Sequence, residues 1–201
     1  MIKNIVFDNG GVIVKYSAET YLDYFKFTED KQKDLDQLFV SNEWTSFAKG
    51  YISSDEFKLY ATNRFPEYYD DVLKILDVNN LKYMIPPYIE TLEFIKKLKS
   101  DGYNIYLLTD INEDTIQYLK EEIEDFEVLF DGIVYSCRVG MVKKEGKVFS
   151  YLLDTLNLNP EETLFLDDSI KNLEEAEKFN IKTYRFLDPK IDIPKIEHLI
   201  N

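Results

Sequence analysis

Short apolar runs recur along the chain, and a polar residue follows most of them directly. The runs predict buried strands at positions 2–7, 103–108, 133–135, 163–166 and 181–186. Between them, apolar side chains recur every three or four residues, which is typical of amphipathic helices. Strands that alternate with helices in this way predict right-handed crossovers. The pattern therefore predicts an α/β fold with a doubly wound, Rossmann-like parallel sheet.

The stretch from position 16 to position 86 has a different pattern. No strand is evident in it, and groups of apolar residues near 35–39, 57–61 and 72–76 predict short amphipathic helices. Pro86 and Pro87, which have no backbone N–H to donate, mark the return to the strand pattern. We therefore predict a Rossmann-like core formed by residues 1–15 and 87–201, with an inserted α-helical cap formed by residues 16–86.

Composition limits the partners of this chain. Its 201 residues carry 24 Lys and Arg against 38 Asp and Glu, a net charge of -14, so we expect neither nucleic acid nor an anionic membrane surface as a partner. A phosphate-bearing ligand would need a local cation. Cys137 is the only cysteine, which excludes an intramolecular disulfide, and no basic stretch precedes a long apolar run at the N-terminus. We expect a cytoplasmic protein, and no feature indicates its oligomeric state.

Polar residues stand at the predicted strand ends. Asp8, Thr109 and the Asp167–Asp168 pair each follow a strand directly, at the sheet edge where open α/β proteins bind ligands. Lys143 lies in the loop before the helix that precedes the strand at 163–166. Each residue alone has an ordinary explanation, as a turn residue or a solvated lysine. Their order and placement together indicate a functional site.

Four segments resemble, in the same order, the motifs of the haloacid dehalogenase superfamily. They are IVFDNGGVIV, IYLLTDIN, GMVKKEGKVF and TLFLDDSIKNLEEA. The insertion after the first motif resembles that of the subfamily with a helical cap, and FAKGYIS is similar to a cap segment of bacterial sugar-phosphate phosphatases in it. The resemblance covers nearly the whole chain and implies a hydrolase that handles phosphate esters.

The resemblance implies a role for each residue at the strand ends. By this resemblance Asp8 is the nucleophile, Thr109 binds the transferred group and Lys143 neutralises charge. The implied ligands of a Mg²⁺ ion are Asp8, the carbonyl of Gly10, Asp167 and Asp168. The chemistry is consistent, because a carboxylate that attacks a phosphate dianion needs a hard cation and a fixed ammonium group to offset the repulsion.

Gly10 departs from the family pattern, which usually has a second Asp there as general acid and base. Such a group typically contributes about 10²- to 10⁴-fold to the rate. The favoured hypothesis is still a Mg²⁺-dependent phosphatase for a small phosphorylated metabolite, with a sugar phosphate first, because the Asp-x-Gly-x-Val form also resembles bacterial glucose-1-phosphate phosphatases. A 2-haloacid dehalogenase needs no second acid, but the acidic pair and the scarcity of arginine count against it. A non-catalytic relative that binds a phosphorylated ligand or a protein is the third hypothesis.

Three further residues have two interpretations each. Asp110 stands where the family often has Asn, and we place it at the substrate site, either as a substitute acid or, as the favoured alternative, as the N-cap of the next helix. Lys144 replaces a usual Pro, which leaves two adjacent lysines, and the motif spacing favours Lys143 as the one in the site. Asn172 either orients the acidic pair or caps its own helix turn.

The inner surface of the cap is expected to select the substrate. Trp44 and Lys49 are the predicted substrate-binding residues there, with Phe47 and Tyr51 as further candidates. The alternative is that these aromatic residues form the core of the cap and that Lys49 is solvated.

Overall fold

The structure, a computed structural model, describes residues 1–200 and is built on five parallel strands. The strands are β1 Asn4–Phe7, β2 Asn104–Thr109, β3 Gly132–Tyr135, β4 Thr163–Asp167 and β5 Lys182–Arg185. Their order is β3-β2-β1-β4-β5, and every neighbouring pair is parallel. The predicted α/β class with a parallel sheet is confirmed. In the register, Phe7 of β1 pairs with Leu107 of β2 and Leu166 of β4, so the residues that follow these three lie at one edge.

Helices cover both faces of the sheet. The helices after the insertion are α7 Ile89–Ser100, α8 Glu113–Glu122, α9 Ser136–Val139, α10 Lys147–Leu156, α11 Ile170–Glu177 and α12 Pro189–Ile200. Ile5 and Phe7 of β1 belong to the apolar cluster that includes residues of α7, α8 and α12, whereas Val6 belongs to the cluster that includes residues of α10 and α11. This alternation follows from the two-residue period of a strand and explains why β1 is apolar throughout.

The stretch between β1 and α7 is helical, as its pattern predicts. Its helices are α1 Ala18–Tyr24, α2 Glu29–Phe39, α3 Asn42–Ala48, α4 Ser54–Arg64, α5 Tyr69–Ile75 and α6 Leu81–Met84. Serine side chains at positions 17, 41 and 53 accept backbone hydrogen bonds at the starts of α1, α3 and α4, which stabilises these short helices. None of the described helices has the length and apolar content of a membrane span.

The two chain crossings between this helical segment and the sheet lie side by side. The backbone N–H of Lys15 donates to Pro86 O at 2.9 Å, and that of Tyr88 donates to Ile13 O at 2.8 Å. Val14 and Pro87 form an antiparallel bridge between these two contacts. The boundaries predicted at positions 15 and 87 fall at this paired crossing, and the division into core and cap stays a prediction.

Candidate active site

Three carboxylates meet at the carboxyl edge of the sheet. Asp8 follows β1, Asp167 is the last residue of β4, and Asp168 comes next in the chain. Each side chain offers an oxygen atom, and these three atoms lie within 4.8 Å of one another. Such an all-oxygen donor set fits a hard divalent cation such as Mg²⁺. Asp8 and Asp167 are buried, so their charges require compensation by nearby cations.

Lys143 supplies one compensating charge. Its side chain is only 2% exposed, and its Nζ lies 2.6 Å from Asp8 Oδ1 and 2.6 Å from Asp167 Oδ2. Burial alone would lower the pKa of Lys143, but Asp8, Asp167 and Asp110 outweigh that effect and raise it. The ammonium group is therefore charged over the physiological pH range and links the carboxyl groups of Asp8 and Asp167.

Neighbouring groups and burial have opposing effects on the pKa of Asp8. Burial raises the pKa of Asp8 well above its usual range, Lys143 opposes the shift, and Asp167 adds to it. The backbone N–H of Asn9 donates to Asp8 Oδ1 at 2.6 Å, which fixes the orientation of the carboxyl group. A further cation beside Asp8 would favour its ionised, nucleophilic form.

The two acids of the Asp167–Asp168 pair have different surroundings. Asp167 accepts from Ser169 N at 2.8 Å through Oδ1, and Asn172 Nδ2 lies 3.1 Å from both of its carboxylate oxygens. Asn172 therefore contacts Asp167 of the acidic pair, which favours the first of its two interpretations. Asp168 instead lines the cavity above the sheet edge, so its carboxyl group is the more accessible of the two to a ligand.

The two glycines of the turn after Asp8 differ in the space around them. Gly11 has φ +75°, and a Cβ atom there would lie 2.7 Å from Cγ and 2.7 Å from Oδ2 of Asp168, so a side chain would strain the backbone and displace Asp168. A Cβ atom at Gly10 would meet Tyr16 at 3.5 Å, an ordinary van der Waals distance. Position 10 therefore has room for a first side-chain atom, and the missing acid is not explained by a clash at this atom.

Asp110 and Thr109 continue the site along the end of β2. Both line the cavity, and Lys143 N lies 3.0 and 3.2 Å from the two carboxylate oxygens of Asp110. Burial raises the pKa of Asp110. The favoured interpretation of Asp110 as a helix N-cap is wrong: Asn112 occupies that position in α8, and its Oδ1 accepts from Thr115 N at 2.9 Å.

A cavity of about 370 Å³ lies above these residues, a size typical of a small-ligand site. The strand edge and its loops contribute one wall, which includes Asp8, Gly10, Thr109, Asp110, Lys143 and Asp168. The helical segment contributes a second wall, which consists of Tyr16, Trp44, Ala48, Leu81, Met84 and Ile85. We call these two surfaces the strand-edge wall and the helical wall.

The predicted substrate-binding residues of the cap separate in the structure. Trp44 lies on the helical wall, whereas Lys49 is not among the residues that line the cavity. The Lys49 ammonium forms an ion pair with Glu145 and lies 5.5 Å from the centre of the Tyr51 ring. Substrate contact by Lys49 therefore has no support from this geometry. Phe47 stacks on Phe57, with 5.1 Å between the ring centres, inside the helical segment.

The two adjacent lysines point to different places. Lys143 enters the site, and Lys144 Nζ donates to Thr45 Oγ1 of α3 at 2.9 Å. Tyr51 OH likewise donates to Gly140 O at 2.9 Å. The loop that supplies the buried ammonium therefore also contacts the helical segment.

Several residues that line the cavity were not predicted as site residues from the sequence. They include Asn9, Ala48, Leu81 and Met84. Leu81 and Met84 lie in α6, which has 4 residues and is too short for a periodic pattern. Asn9 carries the one available signal, a polar side chain directly after the nucleophile position. Its Oδ1 is buried without a hydrogen-bond partner among the described residues.

The fold and site together define a class of enzyme. A parallel α/β sheet carries a carboxylate after its central strand, a buried lysine beside it and an acidic pair after the neighbouring strand. This arrangement is the one that the sequence motifs imply for a hydrolase. The family model for haloacid dehalogenase-like hydrolases matches residues 2–180, so the chain belongs to that family.

The named relatives of this chain include two phosphatases whose names give different substrates. The chain is 24% identical to D-ribitol-5-phosphate phosphatase of Bacteroides thetaiotaomicron, over 92% of this chain and 92% of that protein. It is 23% identical to a sesquiterpene phosphatase of Aspergillus oryzae, over 98% and 96% of the two chains. It spans 34% of the length of another relative, drimenol cyclase of Aspergillus calidoustus.

A solved structure has the same fold. It is a haloacid dehalogenase family enzyme from Bacteroides thetaiotaomicron in complex with magnesium and inorganic phosphate. The TM-score is 0.77 at 23% identity, over 92% of this chain and 94% of that one.

Proposed function

We propose that this chain is a Mg²⁺-dependent phosphomonoester hydrolase that acts on a small phosphorylated metabolite through an aspartyl-phosphate intermediate. One observation carries the proposal: the Lys143 ammonium lies 2.6 Å from Asp8 Oδ1, and Asp8 shares a possible metal site with Asp167 and Asp168. A buried carboxylate beside a fixed cation and a hard-metal site is the arrangement that attack on an anionic phosphate requires.

The reaction divides into two displacements at phosphorus. An oxygen of Asp8 attacks the phosphorus, the bond to the alcohol oxygen breaks, and the alcohol leaves with one proton. Water then attacks the phosphorus of the acyl phosphate, loses a proton, and releases inorganic phosphate as the Asp8 carboxylate forms again. Lys143 and Thr109 bind the oxygens of the transferred group from the strand-edge wall.

Four groups would hold the metal: the carboxylates of Asp8, Asp167 and Asp168 and the carbonyl of Gly10. Asp8, Gly10 and Asp168 line the cavity, and Asn172 and Lys143 hold the carboxylate of Asp167 in place. When bound, Mg²⁺ supplies positive charge that offsets the repulsion between Asp8 and the phosphate. The relative crystallised with magnesium and phosphate supports this choice of cation.

Asp110 is the candidate for the general acid and base that is missing at position 10. It lines the same cavity, and burial raises its pKa, which favours a protonated carboxyl group. Its hydrogen bonds from Lys143 N hold it next to the loop that carries the buried ammonium. As the acid, Asp110 would give its proton to the leaving alcohol and take one from the attacking water.

The identity of the alcohol is a separate question. The names of the relatives include a polyol phosphate phosphatase and a sesquiterpene phosphatase, so the names support phosphate ester hydrolysis and leave the alcohol open. The sugar phosphate expected from the sequence stays a prediction. The acidic cluster favours a phosphatase over the 2-haloacid dehalogenase hypothesis, because attack on carbon with halide departure needs no metal.

Phosphate release from a panel of phosphomonoesters tests the proposal. We expect turnover with Mg²⁺, loss of turnover with EDTA, and loss with Asp8→Asn. Glucose 1-phosphate and glucose 6-phosphate belong in the panel, because a faster anomeric ester would show that the leaving group compensates for Gly10. Halide release from 2-chloropropionate with EDTA present would instead support the dehalogenase, and a folded protein inactive on every ester would contradict the phosphatase.

A further inference from the structure

The helical wall of the cavity has an unusual composition for a site that binds a hydroxyl-rich molecule. Its six residues carry no charge, and four of them are aliphatic or thioether side chains: Ala48, Leu81, Met84 and Ile85. Tyr16 and Trp44 add aromatic rings with one polar atom each. A substrate hydroxyl that is moved from water to such a surface loses hydrogen bonds that the wall does not replace.

The apolar surface extends beyond the main cavity. A smaller cavity of about 40 Å³ lies beside it, and Trp44, Leu81 and Met84 line both. Its other walls include the apolar residues Phe39, Phe47, Phe57, Ile75 and Leu76, and also Ser54, Lys58 and Asp114. The surface formed by Trp44, Leu81 and Met84 therefore continues from the main cavity into a smaller cavity that is lined mainly by apolar residues of the helical segment.

Charge restricts the ligand further. Lys143 is the one cation among the described residues that line the main cavity, and it is already 2.6 Å from two carboxylates. Asp8, Asp110 and Asp168 line the same cavity. Within the main cavity, a second anionic group on the substrate would therefore meet like charges and no further cation. In the smaller cavity, the cation Lys58 is accompanied by Asp114.

The polar groups that lie toward the helical wall are partly engaged with one another. Thr115 Oγ1 donates to Asn112 Oδ1 at 3.0 Å, and the same oxygen accepts from Thr115 N. These two side chains also line both cavities, yet they offer a ligand fewer free partners than their number suggests.

We infer that the group released from phosphate is an uncharged alcohol with an apolar body, which packs against Trp44, Leu81 and Met84. This inference rests on the proposed function and narrows its substrate class. It differs from the sugar phosphate expected from the sequence, because an apolar body gains from burial on this wall whereas several hydroxyls lose by it. Substrates with a second anionic group are excluded by the charges of the strand-edge wall.

Three esters with one five-carbon skeleton test the inference. They are n-pentyl phosphate, ribitol 5-phosphate and 5-phosphonooxypentanoate, and each releases a primary alcohol, so the bond that breaks is closely matched. We expect kcat/KM for pentyl phosphate to exceed that for each of the other two by at least about tenfold, the size of effect that small apolar groups produce in hydrophobic pockets. Equal or faster turnover of ribitol 5-phosphate, or of the carboxylated ester, overturns the inference.

A variant of the helical wall, with a matched control, tests whether this wall causes the preference for pentyl phosphate. Leu81→Gln places an amide on the helical wall at a half-buried position, and Leu59→Gln makes the same change on α4, where Leu59 is 62% exposed. We expect Leu81→Gln to lower kcat/KM for pentyl phosphate by about tenfold and to change that for ribitol 5-phosphate by less than about threefold. Leu59→Gln should leave both unchanged. Parallel losses for the two esters with Leu81→Gln would overturn the assignment of this wall.

The same measurements test the proposed function separately from the inference about the alcohol. If wild-type protein hydrolyses any ester with Mg²⁺ and Asp8→Asn does not, the proposed function holds, and the ranking of the three esters alone decides the inference. If no ester is hydrolysed, the proposed function fails, and calorimetric binding of the same three esters to Asp8→Asn with Mg²⁺ ranks them instead. Tighter binding of ribitol 5-phosphate than of pentyl phosphate would then overturn the inference.

Discussion

The two walls of the cavity are built in opposite ways. The strand-edge wall consists of charged and polar groups that hold one another in place: Lys143 contacts Asp8 and Asp167, and its backbone N–H binds Asp110. The helical wall is uncharged, and its residues belong to separate helices and to the segments that flank them. One wall is organised by electrostatics and the other by apolar packing.

From this difference we expect the strand-edge wall to govern the reaction rate and the helical wall to govern substrate selectivity. Buried charges are costly unless each has a partner, so the strand-edge wall tolerates few substitutions. An apolar surface accepts other apolar side chains of similar volume at small cost. We therefore expect changes on the strand-edge wall to reduce the rate for every substrate, and changes on the helical wall to alter the ranking of substrates.

The largest expected effect comes from Lys143→Met, compared with Lys144→Met. Removal of the buried ammonium leaves Asp8 and Asp167 without their shared partner, so kcat should fall by at least about 10³-fold. The free energy of unfolding should fall by about 3 kcal/mol at neutral pH. Lys144 contacts Thr45 from an exposed position, and its variant should lose less than about 1 kcal/mol. Steady-state kinetics and urea unfolding measure both quantities.

The pH dependence of the Lys143→Met loss provides a further check. Without the ammonium, burial and mutual repulsion raise the pKa values of Asp8 and Asp168 further above their unfolded values. Groups with a raised pKa in the folded state destabilise it at high pH and cease to do so once protonated. The stability difference from wild type should therefore be smaller at pH 5 than at pH 8. An equal difference at both pH values would contradict the electrostatic account.

Asp110→Asn tests the substitute acid on the same wall. Asparagine keeps an oxygen that accepts from Lys143 N, but it has no proton to transfer, so kcat/KM should fall by about 10²-fold. Since an acid acts in its protonated form, wild-type kcat/KM should decline as pH rises through the raised pKa of Asp110, and the variant should lack this decline. A variant with full activity and an unchanged pH profile would exclude Asp110 from proton transfer.

Gly11→Ala tests how closely the turn fits the metal site, with Gly102→Ala as its control. Both glycines have positive φ, +75° and +92°, so both variants carry similar backbone strain, about 1 kcal/mol. Only at Gly11 does a Cβ atom collide with Asp168, whereas nothing lies within 4 Å at Gly102. We expect the Mg²⁺ concentration for half-maximal activity to rise about 10- to 100-fold in Gly11→Ala alone. Equal responses of the two variants to Mg²⁺ would show that Asp168 does not bind the metal.

The strand-edge wall was largely predictable from the sequence, and the helical wall was not. Asp8 and Asp167 follow apolar runs that are buried on both faces, and such runs have one obvious structure. The contact between Asp110 and Lys143 spans 33 positions, and that between Lys49 and Glu145 spans 96. The local periodicity of the sequence does not predict contacts between residues so far apart, because such contacts depend on how the helices and strands pack together.

The same reason applies to the residues that approach the cavity from the helical segment. Trp44 lies on α3 and Met84 on α6, and the two meet only because the helices between them fold back. Helices α1, α3 and α6 contain 7, 7 and 4 residues, too few turns for a clear amphipathic pattern. The pattern from position 16 to position 86 therefore predicted helices in general but not the surface that they form.

The smallest expected effect is that of Lys49→Met, which distinguishes an ion pair outside the cavity from a contact with substrate. Lys49 pairs with Glu145, and their side chains are 14% and 40% exposed, so loss of this partly solvated pair should cost about 1 kcal/mol of stability. Because Lys49 does not line the cavity, KM for a phosphomonoester should change by less than about threefold. Glu145→Gln breaks the same pair from the other side and should give the same small change. A large rise in KM with Lys49→Met alone would show instead that Lys49 binds the substrate, and the helical segment would then contribute a charge to the site after all.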